Sequence, residues 1–252
     1  MSAIPFVDFR ALPAARALHW FARGARMWRR APVMLFVLAF APLVVEGLVQ
    51  LIPLAGMVLS KFIAPLFSFG LVIGLDALAR GDRLRLSHLF AAFRDGRFPV
   101  AARLSLWTML VPALQFAVVA IAYGPAALDA VVLGHLRQHP EFLTHAFSLW
   151  LILPGIPLAT LLTLAPPLAL LADVTPTRAV VLGARRVLAA PLPFAILALV
   201  TIGILFAALI SAWGVLAFLL LPWLAAANFA AWLDLSDSPE PTPAATKALA
   251  AG

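Results

Sequence analysis

The chain has no cysteine among its 252 residues. That absence excludes disulfides, thiol catalysis and thiolate-held zinc or iron–sulfur centres. Charge is also scarce: Asp, Glu, Lys and Arg supply 12% of the residues, while 64% are hydrophobic. A soluble domain carries about 25% charged and roughly 45–50% apolar residues. The shortfall excludes an ordinary water-soluble enzyme, a disordered chain and a nucleic-acid-binding module. The G-x-x-x-x-G-K-[ST], H-E-x-x-H and G-x-S-x-G patterns are missing too. Intramembrane catalysis needs positioned acids, bases or metal ligands, and few such groups stand in the apolar tracts. The sequence therefore reads as non-enzymatic, with no cofactor.

What is present is long apolar runs, with a mean hydropathy of +1.04. A spanning helix needs about 20 such residues. The tract from Pro32 to Ala79 suits two spans, turning at Ile52-Pro53-Leu54-Ala55-Gly56. Val100 to Tyr123 supplies a third and Phe147 to Ala172 a fourth. Leu192 to Leu233 divides into two at Ser211-Ala212-Trp213-Gly214. The expectation is an all-α polytopic bundle with six spans, near 32–52, 57–79, 100–123, 147–172, 192–211 and 214–233. The runs are unbroken, without the alternation of a membrane barrel. A basic segment, 1–31, precedes the 32–235 bundle. It reads as retained, since it lacks a convincing cleavage site. The Pro-rich tail, 236–252, reads as disordered and cytoplasmic.

Arg and Lys placement orients the bundle. Of 18 basic residues, 16 fall in the N-terminal segment, the second-to-third and fourth-to-fifth connections with the adjoining start of span three, and the tail. Lys61 and Arg137 lie on the other side. Both termini are thus expected in the cytoplasm, in a bacterial inner membrane. Arg greatly outnumbers Lys in this Ala-rich chain, which points to a GC-rich bacterial genome.

Before span one, Arg16, His19, Arg23, Arg26 and Arg30 are three and four residues apart and form one helical stripe. Leu18, Phe21, Ala25 and Trp28 lie opposite. Such a helix suits the membrane interface. Before span three, Leu86, Leu89, Phe90 and Phe93 form another apolar stripe. The segment from Thr175 to Ala190, with Arg185 and Arg186, precedes span five. Gly24, Ala91 and Gly183 each stand eight residues before a proline (Pro32, Pro99 and Pro191) that opens a span. The unit of basic helix, proline, span, connection and span repeats three times.

The Thr175–Pro191 segment resembles a recurrent element of bacterial six-span membrane proteins. That group includes the membrane domain found beside glycerophosphodiester phosphodiesterases. Its pattern usually has Ser mid-element, where this chain has Gly183. The 52–56 hairpin and Leu89–Arg94 are similar to an uncharacterised proteobacterial branch. The resemblance covers roughly residues 15–235 and implies an inner-membrane protein. No catalytic residue carries over.

Charges inside a membrane are functional candidates. Folding the first hairpin brings Glu46 and Lys61 to similar depth, as an ion pair with a structural or ion-relay role. Unpaired, each costs on the order of 3 kcal/mol at mid-bilayer. Asp76 lies four residues before Arg80, the spacing of a helical ion pair. Gln50 and Gln115 are candidate interhelical glue. Arg16, Arg23, Arg26, Arg30, Arg185 and Arg186 are candidate contacts for anionic headgroups. In the third-to-fourth connection, His135 and His139 are spaced to face one metal on a helix, with His145 nearby, although ordinary surface histidines explain them as well. Many prolines predict kinked spans, above all in the fourth.

Two functions fit. One is a lipid-interacting or partner-scaffolding protein, with anionic lipid and a membrane protein or second copy as partners. The alternative is a transporter or channel for an apolar or amphipathic solute, which requires a cavity near spans one, two and four with Glu46 accessible.

Overall fold

The computed structural model describes residues 12–52, 55–135, 138–210 and 214–236, excepting the side chains of 208–210 and 214–218. The tail from residue 237 and the hairpin turns at 53–54 and 211–213 lie outside the described residues. All regular structure described is helical. Basic α1 (Ala15–Arg30) precedes α2 (Pro32–Gln50) and α3 (Gly56–Ala79). A 3₁₀ segment (Leu86–Phe93) leads to α4 (Phe98–Thr108) and α5 (Leu110–Tyr123). Short α6 (Pro125–Val132) is followed by α7 (His145–Ile152), α8 (Gly155–Leu162) and α9 (Ala165–Leu171). Then come α10 (Pro176–Ala189), α11 (Pro191–Ile210) and α12 (Gly214–Ser236). About five to six of these helices, with α4–α5 and α7–α9 each counted as one, are long and apolar enough to cross a membrane.

Proline sets the breaks. Ala31 and Ala190, before Pro32 and Pro191, leave helical geometry at φ −149° and −126°. The clash with the proline ring disfavours the α region there. At the second break α10 and α11 meet at 99°. Pro112 removes the N–H that the Thr108 carbonyl would accept, and α4 ends at Thr108. Pro154, Pro166 and Pro167 divide the fourth apolar tract into α7, α8 and α9. The kinking expected of this tract is thus present as two breaks.

The apolar helices form a ring, which α9 crosses in part to reach α3. In order, α2 packs on α3, α3 on α4, α5 on α7 and α8, α8 on α11, α11 on α12, and α12 on α2. The three segments that precede the odd-numbered runs also dock in a regular way. Helix α1 lies on α12, the 3₁₀ segment on α3, and α10 on α8 and α9. Small residues allow this. A Cβ on Gly24 would sit 2.6 Å from the Ala227 nitrogen, and one on Gly70 would sit 2.3 Å from the His88 carbonyl oxygen. Backbones approach this closely only where one partner has no side chain.

One finding adds to the sequence reading and one corrects it. The residues of α1 buried against the bundle are Ala17, Trp20, Gly24 and Met27; of the face expected in the membrane interface, Leu18 is 67% exposed, while Phe21 and Trp28 pack partly on the core. This buried stripe lies one residue (about 100°) from the interfacial apolar face, and its small members Ala17 and Gly24 let the backbones approach. The Leu86–Phe93 segment is 3₁₀ rather than α-helical.

Candidate functional site

An open cavity of about 650 Å³ is walled by α2, α3, α4, α5, α8, α9 and α12. Its apolar wall includes Leu71, Leu75, Val111, Leu162, Leu224 and Phe229. Pro42, Pro65, Pro112, Pro166 and Pro167 all face it. At one end stand Glu46, four residues before the end of α2, and Lys61, five residues after Gly56. At the other end stands Asn228, eight residues before Ser236.

Lys61 Nζ donates to Glu46 Oε1. Gln50 Nε2 donates to the same oxygen at 3.1 Å, and approaches Ser60 Oγ of α3 at 3.4 Å. Both members of the ion pair are partly exposed, at 28% for Lys61 and 22% for Glu46, and both face the cavity. Gln115 Nε2 donates to the Ile152 carbonyl at 3.2 Å, joining α5 to α7 where the fourth tract breaks. At the far end, Thr163 Oγ1 donates to Asn228 Oδ1 at 2.9 Å, and Asn228 Nδ2 to the Leu224 carbonyl at 2.9 Å.

The candidate headgroup arginines separate into two kinds. Arg16 is turned onto α12. Its Nε and Nη2 donate to the two Asp234 carboxylate oxygens at 2.7 and 2.8 Å, beside Trp20 Nε1 at 2.8 Å. Arg26, Arg30 and Arg185 are exposed, whereas Arg23 and Arg186 are partly buried. Asp76 pairs with Arg80 at 2.6 Å across one helical turn.

His135 and His139 are not on a helix, which corrects their expected shared face: α6 ends at Val132, and His139 precedes a short 3₁₀ turn. His135 Nδ1 lies 2.9 Å from Asp129 Oδ2, and His139 Nε2 lies 3.6 Å from the same oxygen. His139 Nδ1 contacts Glu141 Oε1 at 3.0 Å. Glu141's own backbone N–H, then His139, hold its carboxyl below the usual carboxylate range. The contact therefore persists above that range and is lost as pH falls below it. His145 is exposed, at the start of α7. Among the described residues, no group of three or more His, Asp or Glu is arranged to hold a metal ion.

Sequence reasoning missed Asn228 and Asp234. Each is a polar residue inside an otherwise apolar run, which was the available signal. Comparison with protein-family models, curated proteins and solved structures finds no match.

Proposed function

We propose that this is a multi-pass inner-membrane protein, with both termini cytoplasmic, that takes an amphipathic solute into the centre of a six-span ring, as a transporter does. The observation that carries the reading is the cavity of about 650 Å³. Small-molecule pockets span about 300–1,000 Å³ and are mostly apolar, with a few placed polar groups. The cavity meets the requirement set by the transporter expectation: it adjoins spans one, two and four and reaches Glu46. A scaffold whose interior did no work would be free to close this space by packing.

The test is native mass spectrometry of protein extracted from its own membrane. A retained amphiphile is expected on the wild type. Ala159, which is exposed and lines the cavity, serves to block it. Ala159→Trp should lose the retained species and keep its fold. Equal retention by both proteins contradicts the reading.

The docked segments support a threefold design. Each pre-span segment lies on the second helix of the preceding unit, with α1 closing the circle on α12. In this reading they rest at the cytoplasmic interface, and the exposed Arg26, Arg30 and Arg185 engage anionic lipid. Each such contact is worth about 1 kcal/mol. Replacing all three by Gln should weaken binding of the reconstituted protein to a fluorescent anionic lipid by on the order of a hundredfold at low salt. Unchanged binding contradicts it. The resemblance to six-span inner-membrane proteins belongs to the same proposal.

A further inference from the structure

The polar part of the cavity wall has a chemical sign. Three lining hydroxyls give their protons to the protein: Ser68 to the Ala64 carbonyl at 3.3 Å, Thr108 to the Ser105 carbonyl at 2.8 Å and Thr163 to Asn228 at 2.9 Å. Each oxygen keeps lone pairs and has no proton left for a guest. The prolines add acceptors. Pro65, Pro112, Pro166 and Pro167 have no N–H to give the carbonyls four residues earlier. Those carbonyls belong to Lys61, Thr108, Leu162 and Thr163, all of which line the cavity. Within a helix, residues four apart share a face, so a cavity-facing Pro65 sets the freed Lys61 carbonyl on the cavity side. The Glu46 carboxylate adds negative charge, and only its Oε1 receives a bond among the described residues. Opposed to these are one remaining N–H on each of the Gln115 and Asn228 amides and the two further N–H groups of the Lys61 ammonium, whose charge Glu46 meets.

We infer that the guest is a cationic amphiphile with N–H donors, an alkylammonium ion in its simplest form. This rests on the proposed solute-holding function and names its substrate class. The ammonium of Lys61 already occupies such a place against Glu46. An incoming ammonium exchanges with Lys61 at the carboxylate, donates its other protons to carbonyl and hydroxyl oxygens, and lays its chain along Leu71, Leu75 and Leu224. Lys61 then acts as a resident counter-ion that keeps the empty site neutral.

The experiment is calorimetric titration of the full chain in a neutral maltoside detergent at pH 7, with octylammonium, octyltrimethylammonium and octyl sulfate. Octylammonium should bind about tenfold tighter than octyltrimethylammonium, which has the charge without the donors, and tighter still than octyl sulfate. Glu46→Gln should lower octylammonium affinity about tenfold, and Lys61→Met should raise it. Because either single change leaves a partly buried charge, Glu46→Gln with Lys61→Met serves as the folded control. It retains the carbonyls and should still prefer octylammonium to octyl sulfate. Octyl sulfate binding as tightly as octylammonium, with both blocked by Ala159→Trp, overturns the cation assignment and leaves the cavity's role intact. Octylammonium binding that Ala159→Trp does not reduce overturns the solute-holding reading itself.

Discussion

Asp234 is 8% exposed and receives two guanidinium hydrogen bonds from Arg16 and an indole N–H from Trp20. These bonds hold α1 against α12 at a point far apart in sequence. Removing Asp234 leaves the buried Trp20 N–H without this acceptor, at a cost of about 1–3 kcal/mol, while the Arg16 side chain, 42% exposed, keeps access to solvent. Asp234→Ala should lower the thermal midpoint in detergent and expose α1 to proteolysis after Arg23 or Arg26. An unchanged midpoint would mean that the contact holds nothing. Arg16 was legible as one of a basic stripe, and its role was not. A stripe of arginines reads as a topology signal, and the partner that reassigns one of them lies 218 positions away. Glu46 and Lys61 were legible for the opposite reason. They flank one tight turn, so their proximity follows from the hairpin alone.

At the scale of the elements, three glycines govern how the pre-span segments dock. A Cβ would come within 2.3 Å of the His88 carbonyl oxygen at Gly70 and 2.6 Å of the Ala227 nitrogen at Gly24. At Gly183 the nearest atom, the Ala165 nitrogen, is 3.2 Å away, and at Gly203 nothing lies within 4 Å. Backbone obstructs the first two, and overpacking of this kind costs about 1–3 kcal/mol. Alanine should therefore destabilise in the order Gly70 and Gly24, then Gly183, then Gly203, as read from midpoints of thermal denaturation. The reverse order would show that the docking is loose. Helix positions were readable from run length, and the breaks from proline. The face of α1 that docks on α12 was not, because Ala17 and Gly24 matter for what they lack. The 3₁₀ form of Leu86–Phe93 was also hidden, since spacings of three and four occur in both helix types over eight residues.

For the whole molecule, hydropathy gives helices long and apolar enough to cross a membrane in about the right places. The ring and its cavity required the third dimension. Pro65, Pro112, Pro166 and Pro167 stand on three different tracts, and no spacing rule says that they face one space. Thr163 and Asn228 likewise meet across 65 positions. The proposed function requires a guest in that space. The absence of cysteine permits a direct test, because Ser68→Cys places the chain's one thiol on the cavity wall. Alkylation by a membrane-permeant maleimide should slow at least tenfold when octylammonium is added, while a cysteine at exposed Gly203 reacts at the same rate with or without it. Labelling of the Ser68 variant that is unaffected by octylammonium and by every other amphiphile would contradict the account.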